Sequence, residues 1–321
     1  MTPIEEELRD AFARHEPDTP AAGPVHDKIQ TAWVRAKRRR TLRRSASVAA
    51  AVVLATVSAP AALSHFRQSA APVTAPAASS SPAVARPLDV LLVGEDDAGD
   101  ADTVMLVHLP ADRSHIYLVS VPRDTVGIRG VDGGRVPGAV SHLTGVSFDA
   151  TVTVGFDDLR ALAGAVGPVD VCLPAPANTN RFRTGRQFEA GCQKIGADDV
   201  APLLRARYGL KEGLYDRDRN TQRFLRAVAA KMTADGTTTD PARLAPLLTM
   251  LRGDSEVWLQ AAASLSKAEV VGISVPGGAA LDSSRYLGEK FDAAVAPGLF
   301  AAIRGDTLAE WTAGHPDLLL D

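Results

Sequence analysis

An uncharged stretch, Ser45–Leu63, divides this chain of 321 residues. It has about the minimum length that crosses the hydrocarbon core of a bilayer. A dense group of basic residues precedes it, whereas Arg67 and then Arg86 are the next arginines after it: the preceding group is Arg35, Lys37, Arg38, Arg39, Arg40, Arg43 and Arg44. This asymmetry places the N-terminus in the cytoplasm and the bulk of the chain outside. We therefore expect a single-pass protein of the cell membrane with a transmembrane helix over 45–63.

A cleaved signal peptide is the alternative interpretation of this stretch. Small residues near Ala59–Ala62 would suit a signal protease, and Arg39-Arg40-Thr41-Leu42 faintly resembles a twin-arginine signal. The polar region before the stretch is much longer than an ordinary signal-peptide n-region, which favours a retained anchor. Because the basic run abuts an apolar span, membrane orientation explains it better than nucleic-acid binding does.

The stretch also sets the domain organisation. Residues 1–44 are predicted to be a cytoplasmic segment. Residues 64–86 form a linker rich in Ala, Pro and Ser that cannot bury a core. Residues 87–308 are long enough for one large extracytoplasmic domain, and 309–321 are predicted as a C-terminal tail.

Two cysteines, Cys172 and Cys192, lie on the predicted outer side. An even number of cysteines in an oxidising compartment favours a disulfide. Two independent buried thiols are the alternative.

Apolar runs alternate with segments of helical periodicity in the outer part. The predicted strands are Leu88–Gly94, Met105–Leu109, His115–Val121, Thr151–Val154 and Val169–Leu173. The predicted helices are Phe156–Ala165, Asp198–Leu204, Asp218–Thr233 and Pro241–Leu251. Strands interleaved with helices predict an α/β sandwich, in which helices flank a mixed central β-sheet.

An acidic cluster follows the first predicted strand. Its members are Glu95, Asp96, Asp97, Asp100 and Asp102. Carboxylates at a strand end are suitable ligands for a hard divalent cation. A solvated acidic turn is the bland alternative, since acidic surface loops are common.

Arginines follow in two further places. Arg123 and Asp124 end the strand His115–Val121, where they could also be an ordinary turn pair. Arg205 and Arg207 are two positions apart, so on an extended segment both guanidiniums would share one face. Arg217 and Arg219 lie just before or within the next predicted helix. Converging arginines bind phosphates in bidentate fashion, which predicts a phosphate or pyrophosphate site.

Taken in order, these segments resemble the LytR-CpsA-Psr family of cell-envelope proteins. The segments that carry the resemblance are "LDVLLVGEDDAGDADTVMLVHL", "IYLVSVPRDT", "HLTGVSFDATVTVGFDDLRALAGAVGPVDVCLP", "GCQKIGADDVAPLLRARYGL" and "YDRDRNTQRFLRAV". They cover roughly 87–230, and the version is similar to that of actinobacteria.

The resemblance implies a function. Family members transfer a glycopolymer from a polyprenyl pyrophosphate carrier to peptidoglycan, and the lipid tail lies in an apolar tunnel between sheet and helices. By motif position, Asp96 and Asp102 would support a divalent cation, usually Mg²⁺. The phosphates would be bound by Arg123, Arg205, Arg207, Arg217 and Arg219, with Asp124 beside them in the catalytic group.

Three departures from the family pattern leave a second hypothesis open. Ala98 stands where the family usually has Arg, and the 126–142 stretch lacks a Lys-Ile-Asn-Ala-Ala segment, for which Arg135 is a candidate substitute cation. Asn220 and Thr221 replace a usual His or Arg followed by Gln. A degenerate member that binds polyprenyl phosphates as a regulator or scaffold, without turnover, is therefore the alternative to an active transferase.

Overall fold

The computed structural model describes residues 86–320, apart from 97, 181, 183 and 250–260. The predicted cytoplasmic segment, the transmembrane helix over 45–63 and nearly all of the linker lie outside the described residues. Within the described ranges, no helix combines the length and the apolar character that a bilayer crossing requires.

The described strands are the following: β1 Leu88–Glu95, β2 Ala101–Leu109, β3 His115–Val121, β4 Ala150–Gly155, β5 Val169–Leu173, β6 Ala177–Asn178, β7 Gln187–Phe188, β8 Gly191–Ile195, β9 Glu269–Ser274, β10 Gly277–Asp282 and β11 Arg285–Phe291. The described helices used below are α1 Val136–Thr144, α2 Phe156–Val166, α3 Ala197–Arg205, α4 Leu214–Ala234, α5 Pro241–Leu248, α6 Ala296–Arg304 and α7 Leu308–Ala313. The predicted bounds of β3 and β5 match those observed.

The largest sheet in the described part has the order β4-β1-β2-β3-β9. β1 runs parallel to β4, and β3 runs parallel to β9. β2 is antiparallel to both of its neighbours. This mixed sheet flanked by helices confirms the predicted α/β class.

Both faces of the sheet are buried, which explains why its strands are nearly continuous apolar runs. One face carries Leu91 and Val93 of β1 and packs with residues of α1, α6 and α7. The opposite face carries Val90 of β1 and Met105 of β2, and packs against Leu159 of α2 and Leu225 of α4. A further hydrophobic core is formed by the four helices α2, α3, α4 and α5 together with the strands β5 and β8. The residues of the candidate site lie where the layer that contains α2 and α4 meets the sheet.

The buried side chain of Gln222 fixes α4 on the sheet through three polar contacts. Gln222 donates from Nε2 to the carbonyl oxygens of Leu118 and Ile273, at 2.9 and 2.8 Å, and to Ser120 Oγ at 2.8 Å. These bonds join α4 to β3 and β9, so the first turns of α4 have a defined position over the sheet.

Cys172 and Cys192 form the predicted disulfide. They lie directly opposite each other on the antiparallel strands β5 and β8. Asn178, inside the loop that the bridge closes, accepts backbone hydrogen bonds from Arg207 and Tyr208, both 3.1 Å long. The disulfide loop therefore positions the chain at Arg207.

The predicted tail, 309–321, is described as far as residue 320. It contains most of α7, and Leu319 forms a bridge with Ile273 of β9. Leu320 donates from its amide to the Gly272 carbonyl at 2.8 Å. This segment thus covers part of the sheet.

Candidate functional site

Asp102 is the centre of the candidate site. It was predicted at the end of an acidic loop, but the structure places it within β2, which begins at Ala101 rather than Met105. Its side chain is buried, with the whole residue only 5% exposed. The prediction missed this because a buried carboxylate is tolerated only with partners that come from distant parts of the chain.

Three guanidinium groups converge on Asp102 Oδ1. Arg123, which follows β3, forms a short charged hydrogen bond to it. Arg217 Nη1 of α4 lies 3.2 Å away, and Arg207 Nη2 lies 3.6 Å away. Arg217 also donates from Nη2 to the Asp102 carbonyl oxygen. The convergence of Arg123, Arg207 and Arg217, predicted from sequence order, is present.

The three arginines differ in exposure. The Arg217 side chain is 1% exposed, that of Arg123 20% and that of Arg207 47%. Partial burial, followed by repulsion from Arg123 and Arg217, lowers the pKa of the Arg207 guanidinium. An arginine stays charged at neutral pH. The site is therefore electropositive at its solvent side, where an added anion would relieve the repulsion.

Arg205 lies differently from the prediction. It is the last residue of α3, and the chain becomes extended only at Ala206. The prediction that Arg205 and Arg207 share an extended segment is therefore wrong for Arg205. Its guanidinium carbon stacks 4.0 Å from the centroid of the Phe156 ring. Phe156 and Asp102 line the same cavity, so Arg205 lies at the edge of that cavity.

Arg219 and Asp124 have local partners. Arg219 Nη1 is 2.5 Å from Glu212 Oε2 and 2.9 Å from Asp216 Oδ1. Residues two apart on a helix point about 200° apart, which explains why Arg217 reaches Asp102 whereas Arg219 pairs on another side of α4. Asp124 Oδ1 lies 3.7 Å from Arg123 Nε, where its charge favours the cationic side chain.

Asp96 holds the acidic loop together. Its Oδ1 accepts hydrogen bonds from the amides of Ala98, at 2.8 Å, and Asp100, at 3.0 Å. This is the local side-chain-to-backbone bonding typical of an Asx turn. Glu95, in contrast, lines the cavity together with Asp102.

A divalent cation is compatible with part of this donor set. Asp102 Oδ2 is buried and has no hydrogen-bond partner among the described residues. Within the same residues, no group of three or more His, Cys, Asp or Glu side chains has a metal-binding arrangement. Mg²⁺ is usually bound by one or two carboxylates together with substrate phosphates. Asp102 fits that role with a phosphate-bearing ligand present.

Asp218 is a site residue that the sequence analysis did not assign. It is buried on α4, its Oδ1 lies 3.3 Å from Arg217 Nη2, and burial raises its pKa to about 6. The predicted helix began at Asp218, whereas α4 begins at Leu214, which places Asp218 on the inner face of the first turns. Helical phase relative to Phe224 and Leu225 was the signal that could have identified it.

An apolar cavity begins at Asp102. It occupies about 30 Å³ between the sheet and helices α2, α3 and α4. Its apolar lining consists of Leu92, Val154, Phe156, Leu159, Leu204 and Leu225. The cavity therefore joins an apolar interior to the arginine cluster at one end.

The fold and the site define a class of protein, an α/β sandwich that has an arginine cluster at the end of a small apolar cavity. The sequence identifies the family within that class. The LytR_cpsA_psr family profile matches residues 54–269, and the chain belongs to this family.

Two curated relatives come from Corynebacterium glutamicum. The chain is 30% identical over 199 residues to "Cell wall biosynthesis protein LcpA", covering 50% of this chain and 38% of the relative. It is 26% identical over 232 residues to "Probable cell wall biosynthesis protein LcpB", covering 66% and 55%. The matches thus span about half or less of the length of these relatives.

Solved structures share the fold. Bacillus subtilis TagV has a TM-score of 0.55 and 18% identity, covering 70% of this chain and 98% of TagV. The gbs0355 protein of Streptococcus agalactiae has a TM-score of 0.58 and 18% identity, covering 70% and 88%. The structure described as "TagT bound to LIIa-WTA" has a TM-score of 0.55 and 15% identity, covering 69% and 91%.

Proposed function

We propose that this chain is a cell-wall glycopolymer transferase. It moves a glycopolymer from a polyprenyl pyrophosphate carrier to peptidoglycan. The acceptor hydroxyl attacks the phosphorus that carries the glycan, a phosphodiester forms, and polyprenyl phosphate leaves. A transmembrane helix over 45–63 anchors the protein in the cell membrane, and the domain that follows lies outside.

The observation that supports this function is the convergence of Arg123, Arg207 and Arg217 at the end of an apolar cavity. A polyprenyl pyrophosphate is an apolar chain with a compact anion at one end. Its tail matches the cavity lining, and its anion matches the guanidiniums. The cavity, at about 30 Å³, must widen to admit a prenyl chain, which requires α2, α3 and α4 to shift relative to the sheet.

Arg123 and Arg207 have the exposed guanidinium surface that binds phosphate oxygens. Arg217 and Asp102 are positioning residues, because Arg217 is buried and both fix the geometry of the cluster. Asp124 orients Arg123 through its contact with Nε. Arg205 closes the cavity edge over Phe156. Catalysis then consists mainly of positioning the phosphates and neutralising charge as it develops.

Mg²⁺ is the cofactor that we propose, with Asp102 Oδ2 as its protein ligand. Asp96 supports the acidic loop next to it. When bound, the ion neutralises pyrophosphate charge and makes polyprenyl phosphate a better leaving group.

The comparisons support the cell-wall assignment. Both curated relatives are named as cell wall biosynthesis proteins. TagT, which shares the fold, has a solved structure bound to LIIa-WTA. A glycopolymer donor and a peptidoglycan acceptor follow as the proposed partners of this chain.

Incubation of the purified chain with geranyl pyrophosphate and Mg²⁺ tests the donor chemistry. We expect release of phosphate, and loss of Arg207 should weaken binding by the value of a charge-assisted hydrogen bond, about 1.5–3 kcal/mol. Arg207→Ala is compared with Arg160→Ala, because Arg160 is an arginine of similar exposure whose ion-pair partner is Asp198 rather than Asp102. Equal phosphate release by the two variants would contradict the assigned site.

Binding without turnover is the second candidate function. Ala98 favours it, because this exposed residue supplies no charge at the position where the family usually has Arg. Tight geranyl pyrophosphate binding without phosphate release, with or without a saccharide acceptor, would identify the chain as a regulator or scaffold.

A further inference from the structure

We propose that Tyr215, Tyr286 and Glu289, with Arg129, form a saccharide-binding subsite beside the arginine cluster. The inference rests on the proposed function for its biological meaning, and it adds the place where a sugar ring of the acceptor or of the donor is bound. None of these four residues was predicted from the sequence as part of the site.

The two phenol groups converge on one buried carboxylate. Tyr286 donates to Glu289 Oε1 at 2.6 Å, and Tyr215 donates to Glu289 Oε2 at 3.2 Å. Glu289 is only 9% exposed, although it lies on the two-stranded hairpin β10–β11. A buried carboxylate with two phenol donors is a built site rather than a chance surface contact.

The hairpin is attached directly to the phosphate site. Glu289 donates from its amide to the Asp124 carbonyl at 2.9 Å, and it accepts from the Val126 amide at 2.8 Å. The approach is so close that a Cβ at Gly288 would lie 2.4 Å from the Asp124 carbonyl oxygen. Glu289 therefore faces the segment that begins with Arg123.

Tyr215 joins α4 to the hairpin. It lies on the first turn of α4, and its hydroxyl lies 3.1 Å from where a Cβ on Gly277 of β10 would be. Residues two apart on a helix point to different sides, so Tyr215 and Arg217 do not share a side of α4. The backbone contact between Glu289 and Asp124, the neighbour of Arg123, is therefore what places the subsite beside the phosphate site.

The polarity of the cluster selects hydroxyl groups. Burial, together with the charge and hydrogen bonding of Glu289, raises the pKa of both Tyr215 and Tyr286. Both phenols stay protonated, and each donates its hydroxyl proton to Glu289. Each phenol oxygen can therefore only accept a hydrogen bond from a ligand. Ligand groups that donate, such as sugar hydroxyls, fit these oxygens, whereas another phosphate does not.

Ring stacking and a guanidinium complete the match to a sugar. Tyr286 is 39% exposed, and Arg129 lies over its ring with the guanidinium carbon 5.6 Å from the centroid. Arg129 is exposed and donates to the Leu287 carbonyl at 3.2 Å, which leaves further N–H groups for sugar oxygens. An exposed aromatic edge beside acceptor and donor groups is suited to the mixed polarity of a sugar ring.

The test uses the purified full chain, a peptidoglycan disaccharide-peptide as the acceptor probe, and isothermal titration without pyrophosphate. We expect Tyr286→Ala to weaken binding about tenfold, the upper value for a neutral hydrogen bond. Leu287→Ala changes the neighbouring exposed side chain of the same strand and should leave the affinity unchanged. Tyr286→Phe keeps the ring and should give an intermediate loss.

A donor arm separates the two saccharide sources. Geranyl pyrophosphate is compared with geranyl pyrophosphate carrying N-acetylglucosamine, on wild type and on Tyr286→Ala. A loss confined to the sugar-bearing compound assigns the subsite to the donor, and a loss confined to the disaccharide-peptide assigns it to the acceptor. If Tyr286→Ala and Leu287→Ala behave alike in both arms, or wild type binds neither saccharide, the inference is overturned. Failure of plain geranyl pyrophosphate to bind wild type instead contradicts the proposed function alone.

Discussion

Replacing Arg217 tests whether this arginine supports the fold of the site rather than binding the ligand directly. Its guanidinium is buried and contacts the carboxylate and carbonyl of Asp102 as well as Asp218. Arg217→Met retains an unbranched chain and removes the charge, so the loss measures the electrostatic contacts more than a cavity. Arg207→Met is the matched control, because Arg207 contacts the same Asp102 oxygen from a half-exposed position.

The expected magnitudes differ clearly. Removing one partner of a buried ion pair costs about 3–5 kcal/mol, whereas an exposed pair contributes about 0–1 kcal/mol. After Arg217→Met, Asp102 keeps Arg123 and Arg207, but the described structure gives Asp218 no other hydrogen-bonding partner for its charge. We therefore expect a loss of about 3 kcal/mol at pH 7.5, the low end of the range. The loss should shrink at pH 5, where Asp218 is mostly protonated, because its pKa is about 6.

Urea unfolding followed by circular dichroism measures the loss of unfolding free energy in both variants. Thermal unfolding of the same proteins gives the change in Tm. For a domain of 150–250 residues, each kcal/mol lowers the Tm by about 2–4 °C, so Arg217→Met should lower it by roughly 6–12 °C. Arg207→Met should change it little while still weakening geranyl pyrophosphate binding. Equal stability losses in the two variants, or a loss for Arg217→Met that is larger at pH 5, would refute the assignment.

Three further predictions follow from the same contacts. The folded pKa of Asp218, about 6, lies above its usual 3.8, so wild-type stability should fall by up to about 3 kcal/mol as pH rises between these values; urea unfolding of Asp218→Asn should lack this slope. Reducing Cys172–Cys192 should cost about 3 kcal/mol in the same assay, with no stability difference from a double serine variant under reducing conditions. A C-terminal phosphatase fusion should be active outside the membrane, and activity of a cytoplasmic reporter instead would exclude the topology.

The sequence predicted the strands that are largely apolar. His115–Val121 and Val169–Leu173 have the predicted bounds, and each is followed directly by a proline, Pro122 and Pro174, which cannot donate a ladder hydrogen bond. The sequence analysis did not predict the strands β6 to β11 or the helices α1, α6 and α7. α1 follows a glycine-rich stretch, and β10 and β11 have largely exposed, mixed side chains, so neither has a clear period. Pairing with distant partners, rather than local pattern, determines these elements.

Part of the membership of the candidate site was predictable, but its geometry was not. Motif order identified Arg123, Arg207 and Arg217, and the structure brings them together. The motif order did not show that Asp102 lies inside a strand. A charged residue within β2 is stabilised there by arginines that are far away in sequence, Arg123 and Arg217. Nor did the motif order separate Arg217 from Arg219, which requires knowing that α4 already begins at Leu214.

The connection between β3 and β4 lies beside the acidic loop of the candidate site. Asp132 bridges to Asp100, and a Cβ at Gly133 would lie 2.7 Å from Glu95 Oε1, so this connection packs directly onto the acidic loop. Arg135 follows on an exposed turn. Of the arginines that contact Asp102, Arg123 and Arg207 have exposed guanidinium surface. Under the proposed function these two bind the anion, so loss of either should weaken geranyl pyrophosphate binding more than loss of the exposed Arg135 does.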